Sequence, residues 1–488
     1  MDTNRCPARC SHCHGLSRRE FLIGASVASA VFLRRGSAQA KGDPVRKIKP
    51  SGPASKCTPT IKACFVRRKG DYGMRWPGAV YDGEAARKKY TQLIGATAKE
   101  LGVKLELRPE PIYSHKEADA WIAEAVAAKP DGLLVVLLDR QQHAWPTANK
   151  AIGTKIRTVI FSPVGSSFTT NTAAPSRKGG CFICSTDDFR QVAYGMKMLQ
   201  AAAKLHAARG LVIRGRNRAE AEMPGIGMQL RTIPARDFVD QYGKTQESAE
   251  VQAMAADYLR RARKTRGATK QDVLNGVRSY VVARTLLQRE QADAITMDCL
   301  GTLGRSKVSL PCIAWSRMND DGIPAACEAD LGALATQTIV QYLFDRPGFQ
   351  QDPVAETARG AIIGAHCSCP SRLNGFAQPP EPFDMVPHHG NRDATPRTIW
   401  RVGQRVTSAD VLLGRKGTPA RMLISAGEVL QNVDVPPAGG CVISVMVKFD
   451  NVTDVLAYPG FHQIFFYGDF KDELVQFCRL FGIDPVVV

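Results

Sequence analysis

The sequence predicts an α/β protein, with two Rossmann-like parallel-sheet domains followed by a C-terminal antiparallel β-barrel domain. Two observations predict it. Apolar strand-like runs alternate with amphipathic helical periods as far as residue 356, the pattern of parallel strands joined by crossover helices. From Thr357 onward the helical period stops until Asp469, and short β-prone runs separated by Gly, Pro and Asp replace it, the pattern of a small antiparallel barrel or sandwich.

In chain order, 61–66 reads as a strand ending at Arg67-Arg68, 84–101 as a helix, 103–107 as a strand and 116–128 as a helix. The run 132–138 is strongly apolar, as a strand buried on both faces must be, and 158–161 adds another. A second alternating block has helices at 188–205, 249–264 and 270–291, with strands at 210–214 and 294–298. The β-prone runs 360–364, 398–402, 421–424 and 441–447 then precede a helix at 469–481 and a last strand at 483–488. The expected organisation is a signal peptide at 1–40, a Pro/Gly/Lys linker at 41–56, an N-terminal α/β domain at 57–180, a central α/β domain at 181–356 and a barrel domain at 357–488.

Composition narrows the functional classes. A length of 488 residues, 44% hydrophobic and 23% charged, is ordinary for a globular chain with several cores. The formal charge of +19 suits polyanions, but no Lys/Arg tract is interleaved with aromatics, so a nucleic-acid module is not expected. No G-x-G-x-x-G follows a strand, so a dinucleotide is not supported. Cys181-Phe-Ile-Cys184 has no second pair at zinc-finger spacing and reads as buried thiols. Eleven of the 14 cysteines follow Ala40, an odd number with no framework spacing.

Near the N-terminus, Ser17-Arg18-Arg19-Glu20-Phe21-Leu22 resembles the twin-arginine export motif; an apolar run to Leu33 and Ala38-Gln-Ala40 complete a cleavable signal. The expected location is periplasmic, with membrane contact only during export; the alternative is cytoplasmic. Cys10-Ser-His-Cys13-His14 fits a haem-attachment spacing but lies in the segment this reading removes, so no haem is inferred.

The chemistry concentrates between Pro324 and His366. Leu331, Leu334, Ala335, Thr338, Ile339, Tyr342 and Leu343 share one face of an amphipathic helix closed by Pro347-Gly348. Glu328 enters that helix and Asp352 follows it, so the two acids meet only if the chain folds back. Two carboxylates and an imidazole that converge make a hard-cation site, and the same carboxylates can move protons.

This segment resembles the metal-binding core of the L-fucose isomerase and L-arabinose isomerase superfamily. The interval from Glu328 to Asp352 is 24 residues, as in the fucose enzymes, and Tyr458-Pro-Gly-Phe-His462 precedes a strand and a closing helix as their third ligand does. The resemblance implies a divalent metal, with Mn2+ the expected identity, held by Glu328, Asp352 and His462. It also implies catalysis by Glu328 and Asp352 and conversion of an aldose to a ketose through an enediol. His366 stands where the arabinose enzymes have a further metal-binding His, and equally reads as a core imidazole at a strand end. Arg67 resembles a substrate-binding Arg that serves a neighbouring subunit, which implies a homo-oligomer, a trimer or hexamer. His388-His389 lies in a Pro-His-His-Gly turn that reaches the site or faces solvent, and His389 is carried as a candidate substrate contact. Asp298, closing a central strand, is another. The implied partner is a monosaccharide, a deoxy sugar or a pentose. An exported, non-catalytic sugar-binding protein is the alternative, and a hydrolase or lyase using the same metal site is a third reading.

Overall fold

The computed structural model describes residues 48–70, 82–140, 142–388, 392–415, 418–434 and 441–488. The export motif, Cys10–His14, the first part of the linker and His389 lie outside the described residues.

The first sheet contains β1 (Thr60–Val66), β2 (Lys104–Leu107), β3 (Gly132–Leu137), β4 (Thr158–Ser162) and β5 (Cys181–Ser185), all parallel in the order β2-β1-β3-β4-β5. Central β3 shows why its sequence has no polar residue. Leu134 and Val136 enter one core, whereas Leu133, Val135 and Leu137 enter another on the opposite face. Each such side chain contributes roughly 1.5–3 kcal/mol by leaving water. The helix Gly83–Leu101 starts where Asp82 accepts hydrogen bonds from the N–H groups of Glu84 and Ala85, and it stops at Gly102 in the left-handed conformation, φ +65°.

The second sheet contains β6 (Arg209–Ile213), β7 (Ala219–Glu222), β8 (Gln229–Ile233), β9 (Ala294–Met297) and β10 (Ala325–Cys327) in the order β10-β9-β6-β8-β7, with only β7 antiparallel to its neighbour. The C-terminal region is a closed antiparallel barrel. Its six strands are β11 (Phe349–Glu356), β12 (Ala361–His366), β15 (Arg405–Leu412), β16 (Arg421–Asn432), β17 (Ile443–Phe449) and β18 (Gln463–Tyr467). They run in ring order β15-β18-β11-β12-β17-β16 and back to β15. A hairpin of β13 (Phe383–Val386) and β14 (Thr395–Thr398) stands apart, and β19 (Asp484–Val487) lies parallel to β16.

Two strands fall on the other side of the expected boundaries. Cys181–Ser185, grouped in the sequence with the central block, pairs with β4 and completes the first sheet. Phe349–Glu356, also grouped there, is a barrel strand, so Asp352 sits in a ladder of the barrel. The helix Leu331–Phe344 is not simply amphipathic: every residue from Ala333 to Gln341 is buried. Its polar residues are absorbed by hydrogen bonds, with Thr336 accepting from Val411 N (2.9 Å), Gln337 donating to Gly348 O (2.6 Å) and Gln341 donating to Asn319 Oδ1 (2.8 Å).

Candidate functional site

The return path that the sequence leaves open is set by the turn after the helix. The helix Leu331–Phe344 has 14 residues and advances ~21 Å; the chain turns at 345–348, with Asp345 in the left-handed conformation, and β11 runs back from Phe349. Asp352 therefore returns to the end of the helix where Glu328 lies. Strand register supplies the imidazoles. Gln351 on β11 faces Gln463 on β18, so His462, the residue before Gln463, lies beside Asp352. On the other side of β11, Asp352 faces Ala365 on β12, which puts His366 next in line.

The four side chains converge. His462 Nε2 is 3.3 Å from Asp352 Oδ1 and 3.5 Å from Glu328 Oε2, and His366 Nε2 is 3.9 Å from Glu328 Oε1. One donor atom each from Glu328, His366 and His462 lies within 4.8 Å of the others, and the two imidazole rings are 5.6 Å apart at 71°. Glu328 and Ala329 both take left-handed backbone, φ +62° and +54°, which costs a non-glycine residue about 1 kcal/mol or more. The strained turn is held by Ala329 N donating to Met297 O (2.9 Å) and Asp330 N donating to Cys327 O (3.2 Å). It aims the Glu328 carboxylate at the barrel instead of along the helix.

Asp330 is a member that sequence reasoning missed. Its Oδ1 accepts from Ala333 N (2.7 Å) and caps the helix, while its Oδ2 meets His462 Nδ1 at 2.9 Å. An N-cap Asp carries no signal of its own that it also orients a histidine 132 residues away.

Electrostatics agree with a cation at the centre. Burial opposes charge on His462, but Asp330, Asp352 and Glu328 outweigh it and push the imidazole up to about 11. Its hydrogen bond with His462 holds the Glu328 carboxyl below its usual range against the opposing effect of burial. Burial also acts to raise Asp330, and His462 and the helix N–H groups overcome it. Asp410, buried beside this group, is pushed up to about 6 by burial and then by the charge of Asp330. A positive charge at this position is what the three carboxylates require. Asp352 Oδ1 and His462 Nε2 are buried 3.3 Å apart, and the same nitrogen lies 3.5 Å from Glu328 Oε2. Oxygen and imidazole donors converging at this spacing suit a shared ion, and such a set is the chemistry of a hard or borderline divalent metal.

The remaining predicted residues are distributed differently. Asp298 caps the short helix after β9, accepting from Gly301 N (3.1 Å), and lines a cavity of about 570 Å³ with Glu328, Arg214, Arg216 and Asn217. That cavity lies beyond the C-terminal ends of β6 and β9, where parallel sheets place ligands. Arg67 ends β1 with Glu84 (3.3 Å) and the Tyr113 ring as its partners, both in the first sheet's block, so this chain does not bring it to the carboxylates. His388 is fully buried, so the solvent-facing reading does not hold for that residue; His389 lies outside the described residues.

Comparison with known proteins gives distant relatives of one kind. A sulfoquinovose isomerase from Clostridium sp. (strain MSTE9) is 25% identical over 313 residues, 61% of this chain and 66% of its own length. An L-arabinose isomerase from Shouchella clausii (strain KSM-K16) is 26% identical over 190 residues, 37% of this chain and 38% of its own length. The matched stretch spans less than two thirds of either relative. No family model matches. The solved XylFII molecule overlaps with a TM-score of 0.17 at 12% identity, over 49% of this chain and 80% of that one, too little to bear on the fold. The two relatives support an isomerase superfamily of the fucose and arabinose type.

Proposed function

We propose that the chain is a metal-dependent aldose–ketose isomerase-like protein acting on a monosaccharide, a deoxy sugar or a pentose. The observation that supports this reading best is the convergence of Glu328, Asp352, His462 and His366 from β10, β11, β18 and β12. Those residues would hold the ion, with Mn2+ the expected identity. When bound, it supplies Lewis-acid stabilisation of the charge that develops on two adjacent sugar oxygens.

The protein's own groups handle the protons. Glu328 and Asp352 flank one position from opposite elements, so one carboxylate removes the proton from the carbon beside the carbonyl. The other side of the site returns a proton to the neighbouring carbon, and the substrate passes through an enediol. Asp330 fixes the His462 ring so that Nε2 faces the carboxylates. The strained backbone at Glu328 holds its carboxylate in position before substrate arrives.

A narrower substrate reading has its own support. Arg214 and Arg216 line the same cavity as Glu328, which favours a sugar bearing an anionic group, and sulfoquinovose, the sugar in one relative's name, carries a sulfonate.

The test is ketose formation from L-fucose, L-arabinose and D-arabinose by the manganese-loaded protein. Turnover on one of them, falling ~100-fold or more in Glu328→Gln and Asp352→Asn while the fold is kept, is the expected result. Sugar binding that survives chelation without turnover would replace the enzyme with the non-catalytic sugar-binding protein.

A further inference from the structure

Directly behind His366 the structure gathers a set of donors of a different chemical kind. Cys312 opens the helix Cys312–Asp320, Cys367 follows β12, and His388 follows β13. All three are buried, at 3%, 6% and 0% exposure, and one donor atom from each lies within 4.8 Å of the other two. The thiols of Cys312 and Cys367 contact one another, and the Cys367 thiol also contacts that of Cys327. Around them the backbone is pinned. Cys367 O accepts from Thr395 Oγ1 at 2.7 Å, and His388 N donates to Arg392 O at 3.0 Å.

We propose that Cys312, Cys367 and His388 form a second, soft-metal site that takes a zinc-type divalent ion. Two sulfurs and an imidazole nitrogen are donors that carboxylate-seeking ions such as Mn2+ compete for poorly and that Zn2+ binds well. The balance is simple: the ion enters, two S–H bonds break, two sulfur–metal bonds and one nitrogen–metal bond form, and two protons leave to solvent. Two thiolates neutralise the divalent charge, which a buried site requires. Cys327, which touches the Cys367 thiol, groups instead with His366 and Cys367, on the side of the carboxylate site. The ion would tie the helix Cys312–Asp320, in the second sheet's block, to the segments leaving β12 and β13. It would thereby fix the strand end that presents His366.

The experiment uses the full chain, equilibrated with Zn2+, passed through a mild chelator and analysed for metal per chain. One retained zinc is expected in wild type and in Glu328→Gln with Asp352→Asn. Retention should fall at least tenfold in Cys312→Ser. The wild-type chain loaded with Co2+ should show thiolate-to-cobalt charge-transfer absorption, a readout that needs no variant to fold. Zinc–sulfur scattering at ~2.3 Å would identify the donors. The proposal is overturned by an unmetallated wild type without that absorption, by zinc that disappears only with the Glu328 change, or by a Cys312–Cys367 disulfide in freshly purified protein. None of these outcomes depends on whether the carboxylate site turns over a sugar.

Discussion

Replacing Asp330 by Asn isolates the hydrogen bond that decides which nitrogen of His462 carries a proton. In the native chain one carboxylate does two things, capping the helix through Ala333 N at 2.7 Å and meeting His462 Nδ1 at 2.9 Å. Asn caps a helix as well as Asp does, so its oxygen stays on Ala333 and its NH2 turns toward the ring. An amide donor needs Nδ1 as an acceptor, which sends the proton of the neutral ring to Nε2. That is the nitrogen facing Glu328 and Asp352, at 3.5 and 3.3 Å. A ring in that tautomer has no lone pair to offer an ion there. Loss of such an outer partner weakens metal affinity by ~10–100-fold, or about 1.4–2.7 kcal/mol. The assay is calorimetric titration with Mn2+ of wild type, Asp330→Asn and Asp330→Ser at one pH. Ser keeps the cap and leaves Nδ1 to water, so its loss should be the smaller of the two. Wild-type affinity in Asp330→Asn would refute the reasoning. So would equal losses in both variants that track a common drop in melting temperature.

Other outcomes follow from neighbouring residues. Asp410 has a folded pKa of about 6, above the unfolded ~3.9, so the folded state binds its proton more tightly and stability is lost as pH rises from about 4 through 6. Asp410→Asn should therefore stabilise the metal-free chain at pH 7 by on the order of 2 kcal/mol and leave it unchanged at pH 3.5, checked by denaturant melts at both; an equal gain at the two pH values contradicts the assignment. If an anionic sugar is the substrate, Arg214→Ala with Arg216→Ala should raise KM ~10-fold or more for it and leave KM for an uncharged pentose nearly unchanged. Arg18→Lys with Arg19→Lys should keep the protein inside the cell, as fractionation would show, and unchanged export would remove the signal reading.

The sequence is most legible where one local rule decides the outcome. Gly132–Leu137 has to be a doubly buried strand because every residue is apolar, and an antiparallel barrel or sandwich shows itself in repeated short runs broken by Gly, Pro and Asp; the β15–β16 pairing that closes the barrel does not. Legibility fails where tertiary contacts override the local pattern. β7 reads Ala-Glu-Ala-Glu and is fully exposed, so periodicity has no apolar face to detect. Cys181–Ser185 looks like the start of a new block, but the choice of sheet depends on which strand edge is open, a global property. The helix Leu331–Phe344 seems amphipathic because Thr336, Gln337 and Gln341 are polar; the partners that let them be buried come from Val411, Gly348 and Asn319.

The two donor groups follow the same division. Glu328 and Asp352 can be paired in the sequence only through the 24-residue interval that resembles the fucose enzymes; the strand that carries Asp352 back is a property of the fold. Cys312, Cys367 and His388 have no such relation: one opens a helix and the others trail two unconnected strands. What brings them together is the seam where the second sheet's block meets the strands beyond its last helix, the same seam that forms the carboxylate site. A sorting of donors results, with oxygen and imidazole on the side open to the cavity and sulfur with imidazole on the closed side, His366 standing between them. Hard ions gain most where water and sugar oxygens can complete their shell, and soft ions need neither. The placement of each donor type relative to solvent is therefore what separates a site suited to turnover from one suited to holding the fold.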